Sequence, residues 1–557
     1  MFARPALPFT RSTSRIASRI FRRHPTLTIP RSPGSVATVL TSVRIRRMSL
    51  LCTTVAATSG AAASVALSTA GMATATLHPG IRKLMGQLDD LAPRFFLKQG
   101  QIDILKSPDE FYSVLKQKIS AAKKRVFLAT LYVGKTEHEL IDVLRTALLN
   151  NPDLKVYLLI DALRGTREAP KPSSASLMAK LVAEFGDRVQ VKLFHTPNLR
   201  GMKKAMIPTR LNEGWGLQHM KLYGFDDEII LSGANLSHDY FTNRQDRYYL
   251  FRSADITNYY KKLYDAVGSL SYALSPDDSP SGFHLSWPLT NPAPQPTKQA
   301  LKFVKVATQI LTPLIRPSLS NTPGDIGLED ASTLTVVYPV SQFTPLLSPN
   351  ASTEAPAIKH LLDVLKTDRF SWMFTAGYFN IHSDYRRKLL SSNPREGMII
   401  TAAPEANSFY QSAGISGYLP PAYTLLAKDF VKDVSRRKKS DKIHLLEWQN
   451  GVLNQPGGWT YHAKGIWICP PQFDSSEEKP CVTVIGSSNF TRRSHALDLE
   501  SNVIIFTRDE ELRSKMYDEI QNLRQFTREM NEETFRSDDR RVGWGVRAAL
   551  AVLGGML

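Results

Sequence analysis

One small group of residues occurs twice in this chain, about 250 positions apart, and that spacing points to a duplicated domain. The first copy reads HMKLYGFD and then SGANLS, with His219, Lys221, Asp226 and Asn235. The second reads HAKGIWIC and then GSSNFT, with His462, Lys464 and Asn489. Eleven positions beyond each asparagine stands a carboxylate, Asp246 in the first copy and Glu500 in the second. Tyr378 follows Tyr132 by 246 positions, His462 follows His219 by 243, and Asn489 follows Asn235 by 254. The wider last interval reflects an insertion, PPQFDSSEEKPC. A period this long excludes a solenoid, whose repeats run to about 20–50 residues. Two unrelated domains would not keep these landmarks in one order.

The segments between the landmarks read as α/β. RVFLATLYVG, LKVYLLID and VQVKLFH are apolar runs rich in branched residues, as expected of strands covered on both faces. EIILSGAN is a further strand that ends at the motif. Phe111 to Ala122 reads as a helix, and Leu140, Ile141, Leu144 and Leu148 recur at helical spacing. The second half repeats the order with SWMFTAGYFN, GMIITAAP and KIHLLEW. Strands that alternate with helices predict sheets layered by helices. The predicted organisation is a leader and flexible linker over 1–88, a first domain over 89–274 and a Pro/Ser-rich connection over 275–330. A second domain follows over 331–530, with a basic and apolar tail over 531–557 around Trp544 that either packs on the core or lies at a membrane surface.

The net charge of +19 resembles a nucleic-acid signal until it is located. No acidic residue precedes Asp89, and twelve of the nineteen charges lie in residues 1–88, which leaves +7 over the other 469. The segment from Met1 to about Met48 is rich in Arg, Ser and Thr, the composition of a mitochondrial transit peptide. A basic arm for nucleic acid is the competing reading. Ser49 to Leu77 lacks the density of large apolar residues that a spanning helix needs, so it reads as presequence or linker, with a membrane span as the alternative. The three cysteines form no spaced cluster, so neither a disulfide framework nor a zinc site is indicated.

The repeated residue types suit phosphoryl transfer. A neutral imidazole attacks phosphorus, and a second one serves as acid and then base near neutral pH. Lys221, Lys464, Asn235 and Asn489 are suited to hold the non-bridging oxygens of the transition state. Asp246 and Glu500 are expected on the far ring nitrogens, either within their own half or across. This chemistry requires no metal. Ala129 to Thr136 nearly matches a phosphate-binding loop, but an alanine stands where the first glycine should be. Tyr132, Gly134 and Tyr378 are candidate substrate contacts at the strand ends. Arg492 and Arg493 are candidates for a second phosphate through planar forks. RRKK (Arg436 to Lys439) reads as a solvated helix end, with anionic lipid as the sharper alternative.

The motif set resembles the phospholipase D superfamily, whose signature is H-x-K-x4-D followed by a glycine or serine approach to asparagine. The first copy fits throughout. In the second, Cys469 stands where the aspartate should be, which favours His219 as nucleophile and His462 as acid and base. The resemblance implies two tandem phospholipase D-like domains in pseudo-twofold relation, with mixed sheets flanked by helices and one shared active site. A closer resemblance covers Phe95 to Arg524 through LATLYVG, NRQDRYY, FTAGYFN, ISGYLPPAYT and GSSNFTRRSHALDLE. It is to the eukaryotic mitochondrial phosphatidylglycerophosphate synthases. This implies transfer of a phosphatidyl group from CDP-diacylglycerol to glycerol 3-phosphate, with no nucleic-acid partner. It also implies peripheral association with the inner mitochondrial membrane on the matrix side. A phospholipase D-type phosphodiesterase acting on phospholipid or nucleic acid is the alternative.

Overall fold

A computed structural model describes residues 77–207, 212–317, 333–471, 478–543 and 545–547. The predicted leader to residue 76, Trp544 and the final residues 548–557 lie outside them. The first half supplies β2 (Ile102–Leu105), β3 (Arg125–Ala129), β4 (Lys155–Asp161), β5 (Val189–Phe194), β6 (Leu222–Phe225) and β7 (Glu228–Ser232). It continues with β9 (Tyr248–Arg252), β10 (Tyr272–Pro276) and β11 (Phe283–Ser286). These nine strands form one sheet in the order β11-β10-β5-β4-β3-β6-β7-β9-β2. Its centre is parallel from β3 to β5, while β6 and β7 return antiparallel.

The second sheet repeats this plan with β12 (Thr333–Gln342), β13 (Ser371–Ala376), β14 (Gly397–Ala402) and β15 (Ile443–Trp448). It adds β17 (Lys464–Cys469), β18 (Val482–Gly486), β19 (Glu500–Thr507) and β20 (Thr527–Met530). Its ninth strand is β1 (Phe95–Lys98), so the order is β1-β12-β19-β18-β17-β13-β14-β15-β20. The segments read as buried strands are buried along almost their whole length in both sheets. Three clusters of apolar side chains hold the molecule together. One joins the sheets through residues such as Phe127, Leu222, Ile400 and Trp467. The others lie on the outer faces of the second and first halves.

The expected boundaries shift in two places. Pro79–Asp89 is a helix inside the span read as linker, and it buries Ile81, Leu84, Met85 and Leu88. Those side chains pack in the outer core of the second half, beside Val336 and Tyr338. β1 pairs antiparallel with β12, so residues 79–98 complete the second half rather than open the first. The Pro/Ser-rich connection likewise contains the β10–β11 hairpin and a helix, Ala300–Ile315, whose Phe303, Ala307 and Leu311 enter the central core. At the tail, Arg540 pairs with buried Glu447 at 2.9 Å. Arg436, Arg437 and Lys438 are exposed at a helix end, whereas Lys439 donates to the carbonyls of Leu390 and Ser392.

Candidate active site

Each histidine motif is held by backbone from the other half. The His219 amide donates to the Leu499 carbonyl at 3.0 Å, and the Leu499 amide donates to Leu217 at 2.8 Å. In the second copy β16 (Thr460–Tyr461) pairs parallel with β8 (Arg244–Gln245), and the His462 amide donates to the Gln245 carbonyl at 2.8 Å. The next residue after Leu499 is Glu500 and the next after Gln245 is Asp246. The carboxylates therefore cross between halves. His219 Nδ1 lies 3.0 Å from both Glu500 oxygens, and His462 Nδ1 lies 2.6 Å from Asp246 Oδ2. A carboxylate on Nδ1 fixes the tautomer and turns the Nε2 lone pair toward the reacting centre.

The lysines sit beside their histidines. Lys221 Nζ donates to the His219 carbonyl at 2.6 Å, and Lys464 Nζ donates to the His462 carbonyl at 2.8 Å. Lys464 also reaches Asp246 Oδ2 at 3.2 Å. Gly233 permits that approach: a Cβ there would lie 2.4 Å from Lys464 Nζ and 2.5 Å from Asp246 Oδ1. The matching position in the second copy is Ser487, whose hydroxyl donates to Glu500.

Burial makes these groups unusual acids and bases. Burial and the Lys221 charge hold His219 well below its ordinary value, and burial with Lys464 brings His462 down to about 3. Both rings are therefore neutral in the ligand-free site. Burial pushes Glu500 up to about 7, against the pull of Lys221. Lys221 falls to about 7 through burial, opposed by Glu500. Burial acts to raise Asp246, but Lys464 and His462 outweigh it and hold the carboxyl below its usual range.

Asn235 Nδ2 donates to Tyr240 Oη at 3.2 Å, and Tyr240 Oη lies 3.3 Å from His462 Nε2. Asn489 Oδ1 is buried without a hydrogen-bond partner among the described residues. Tyr378 stands edge-on to His462 with ring centroids 5.5 Å apart. Tyr132 carries the Arg164 guanidinium 4.0 Å over its ring and lies 3.3 Å from Ser237 Oγ.

Four other candidates take places apart from this cluster or are held by other partners. Asp226 stands outside this cluster, in the β6–β7 turn at φ 48°. It accepts the amides of Lys123, Lys124 and Arg125 at 2.7, 2.8 and 2.9 Å, and so anchors the start of β3. The Gly134 amide donates to the Leu236 carbonyl at 2.8 Å, so it is not free to cradle phosphate. Arg492 is exposed to solvent, whereas Arg493 bonds Asp498 at 3.0 Å and the Glu213 carbonyl at 2.9 Å.

The sequence reading missed several participants. Tyr240 stands five residues after Asn235, where the second copy has Ser494, so the repeat gave no signal for it. Arg247 is completely buried and binds Glu519 from the other half through Nε at 2.8 Å and NH2 at 3.0 Å. Its place in DRYY, beside Asp246, was the available clue. Among the described residues no group of three or more His, Cys, Asp or Glu is placed to hold a metal ion.

Residues 115–267 match the family model described as cardiolipin synthase, PLD-like domain. The chain is 51% identical over 465 residues to a CDP-diacylglycerol–glycerol-3-phosphate 3-phosphatidyltransferase of Saccharomyces pastorianus, covering 83% of this chain and 89% of that one. The protein of that name from Schizosaccharomyces pombe is 42% identical, with 80% and 93% covered. The human mitochondrial one is 33% identical, with 81% and 82% covered. Among solved structures, phosphatidylserine synthase of Haemophilus influenzae superposes with a TM-score of 0.64 at 21% identity, over 85% of this chain and 96% of that one. That likeness shows the fold.

Proposed function

The chain belongs to the CDP-diacylglycerol–glycerol-3-phosphate 3-phosphatidyltransferases of the phospholipase D superfamily, and we propose that His219 is its nucleophile and His462 its acid and base. The enzyme transfers a phosphatidyl group from CDP-diacylglycerol to glycerol 3-phosphate, giving phosphatidylglycerophosphate and CMP, and works in the mitochondrion. His219 Nε2 attacks the phosphatidyl phosphorus. The bond to CMP breaks, and the departing oxygen takes a proton from His462 Nε2. The glycerol 3-phosphate hydroxyl then gives its proton to His462 and attacks the same phosphorus. The P–N bond breaks and its electron pair returns to His219.

The crossed carboxylates carry this reading, because they occupy both Nδ1 atoms and leave both Nε2 atoms for chemistry. The division of roles follows from their unequal electrostatics. The ionised Asp246 supports the imidazolium through which His462 must pass, and the negative phosphodiester raises its pKa on binding. Burial keeps His219 neutral, as a nucleophile must be. Lys221, Lys464, Asn235 and Asn489 face the charge that develops on phosphorus. Tyr240 Oη holds His462 Nε2 until substrate displaces it.

The enzyme docks peripherally on the matrix face of the inner membrane. Among the described residues no helix is long and apolar enough to cross a membrane. Met202 and Met206 are 79% and 77% exposed on a short helix, Gly201–Met206, beside the exposed Lys203 and Lys204. Lys203 lies 4.6 Å over the Trp215 ring, four residues before His219, so this basic and apolar face borders the site. It suits an anionic bilayer. Protection from protease in intact mitochondria and mitoplasts, with release by alkaline carbonate, tests the placement.

Purified protein given CDP-diacylglycerol with and without glycerol 3-phosphate tests the reaction. CMP release should depend on glycerol 3-phosphate; release without it indicates a hydrolase. His219→Ala should abolish both half-reactions and trap no phosphatidyl-enzyme, and near-normal turnover there would refute the nucleophile assignment. His462→Ala should form phosphatidyl-enzyme slowly and release it more slowly still.

A further inference from the structure

The C-terminal ends of β4 and β5 border a cavity of about 370 Å³, lined in part by Leu163, Arg167, His195, Lys204, Asn212 and Tyr272. Two of its polar side chains are deeply buried: His195 is 4% exposed and Asn212 is 7% exposed. His195 Nδ1 lies 2.9 Å from the Thr196 carbonyl, which can only accept, so Nδ1 carries the ring proton. Nε2 is then a bare acceptor. Neither His195 Nε2 nor Asn212 Oδ1 has a hydrogen-bond partner among the described residues. Burial, helped by the Lys204 charge, lowers His195 to about 4, so the ring stays a neutral acceptor at physiological pH.

The cavity lies at the same end of the sheet as His219. β6 runs antiparallel to β3, with Leu222 opposite Ala129, so the motif that precedes β6 emerges where β3, β4 and β5 end. Ligands of such sheets bind at those strand ends. β4 is two strands from β6, and the Gln218 amide beside His219 donates to Asp161 at the end of β4, at 3.0 Å. β4 and β6 lie about 10 Å apart at the usual strand spacing, and the motif reaches across part of that gap through Gln218. A nucleotide with its phosphorus at His219 has a second phosphate and a ribose with which to reach from there to the cavity.

We propose that this cavity is the cytosine subsite of the nucleotide donor, with the exocyclic amino group donating to His195 Nε2 and Asn212 Oδ1. Lys204, at the mouth, faces the acceptors on the remaining edge of the base, and Tyr272 and Leu163 border its faces. Uracil would set a carbonyl against two bare acceptors, so the same pair excludes it. The subsite rests on the transferase reading.

Binding of CMP and UMP to the full chain by calorimetry, with KM values for both substrates, tests it. Wild type should bind CMP at least about a hundredfold more tightly than UMP, because a site built to pair with a polar group rejects its mismatch strongly. His195→Ala and Asn212→Leu should each weaken CMP and raise KM for CDP-diacylglycerol about tenfold, the worth of one buried hydrogen bond, and leave KM for glycerol 3-phosphate in place. His195→Gln, which keeps an acceptor, should recover part of both. If the buried variants unfold, the exposed Lys204→Ala should still weaken CMP. Equal affinity of wild type for CMP and UMP overturns the subsite, as do folded His195→Ala protein with normal CMP affinity or a silent Lys204→Ala. Absence of glycerol 3-phosphate-dependent CMP release would instead overturn the transferase reading, whatever CMP binding shows.

Discussion

At the level of single residues, the site depends on how closely side chains approach one another, and Gly233 is the sharpest instance. A methyl group there enters the space of Lys464 Nζ and Asp246 Oδ1. Gly233→Ala should therefore push the Lys464–Asp246–His462 chain out of line. A misplacement of about 1 Å in catalytic groups lowers rate roughly a hundredfold, and kcat should fall by that order with the fold intact by circular dichroism. A kcat within threefold of wild type would show that the pair adjusts freely. Asp226 predicts the opposite separation. Asp226→Ala removes the acceptor of three exposed or half-buried amides at the start of β3, and water can replace it there, so the loss should be about 1 kcal/mol, the net worth of an ordinary hydrogen bond. Urea unfolding should register that loss while kcat of the folded fraction holds. A collapse of kcat with unchanged stability would return Asp226 to the chemistry.

At the scale of elements, the strands around the motifs were legible because their branched apolar runs are buried on both faces. β3, β4, β5, β13, β14 and β15 all lie within segments read from that pattern. The helix Pro79–Asp89 was not, because Arg82 and Lys83 continued the basic leader and masked the apolar stripe of Ile81, Leu84, Met85 and Leu88. β1 was missed because a four-residue edge strand carries little periodicity, and its partner β12 lies over 230 positions away in sequence. The crossing of Asp246 and Glu500 could not be read either. Equal spacing from each asparagine fits pairing within a half or across, and only the backbone pairing of His219 with Leu499 and of His462 with Gln245 decides it. The same crossing places Arg247 of β8–β9 against Glu519 of the helix Glu510–Arg524. Arg247→Met would leave the Glu519 charge buried with Tyr249 and Trp467 as its remaining donors among the described residues. Removing one partner of a buried pair costs about 3–5 kcal/mol, and urea unfolding should show a loss of that size. A loss below about 1 kcal/mol would mean the halves do not depend on this tie.

Across the whole molecule, the duplication makes one site at the seam of two sheets, and the seam stores buried carboxyls on the second half. Glu354 lies near Glu500, and its Oε2 has no hydrogen-bond partner among the described residues. Burial, then the Glu500 charge, pushes its carboxyl from 4.5 up to about 8, with a Ser488 hydrogen bond in opposition. The protonated form is thus the one the fold accommodates. Because the folded value exceeds the unfolded one, this contribution to stability is fully present below about pH 4.5 and is lost as pH rises through about 8. Other groups titrate over the same range, among them Asp161 at about 8 and Lys221 at about 7, so the overall slope does not isolate Glu354. Glu354→Gln does, since it keeps the shape and removes the proton. The unfolding free energy of wild type minus that of Glu354→Gln should grow as pH falls from 9 to 6, by at most about 1.4 kcal/mol per pH unit. Urea unfolding of both proteins at pH 6, 7.5 and 9 measures it. A difference that does not change with pH would place the Glu354 carboxyl in an ordinary, ionised state and remove the second carboxyl from the electrostatics behind His219.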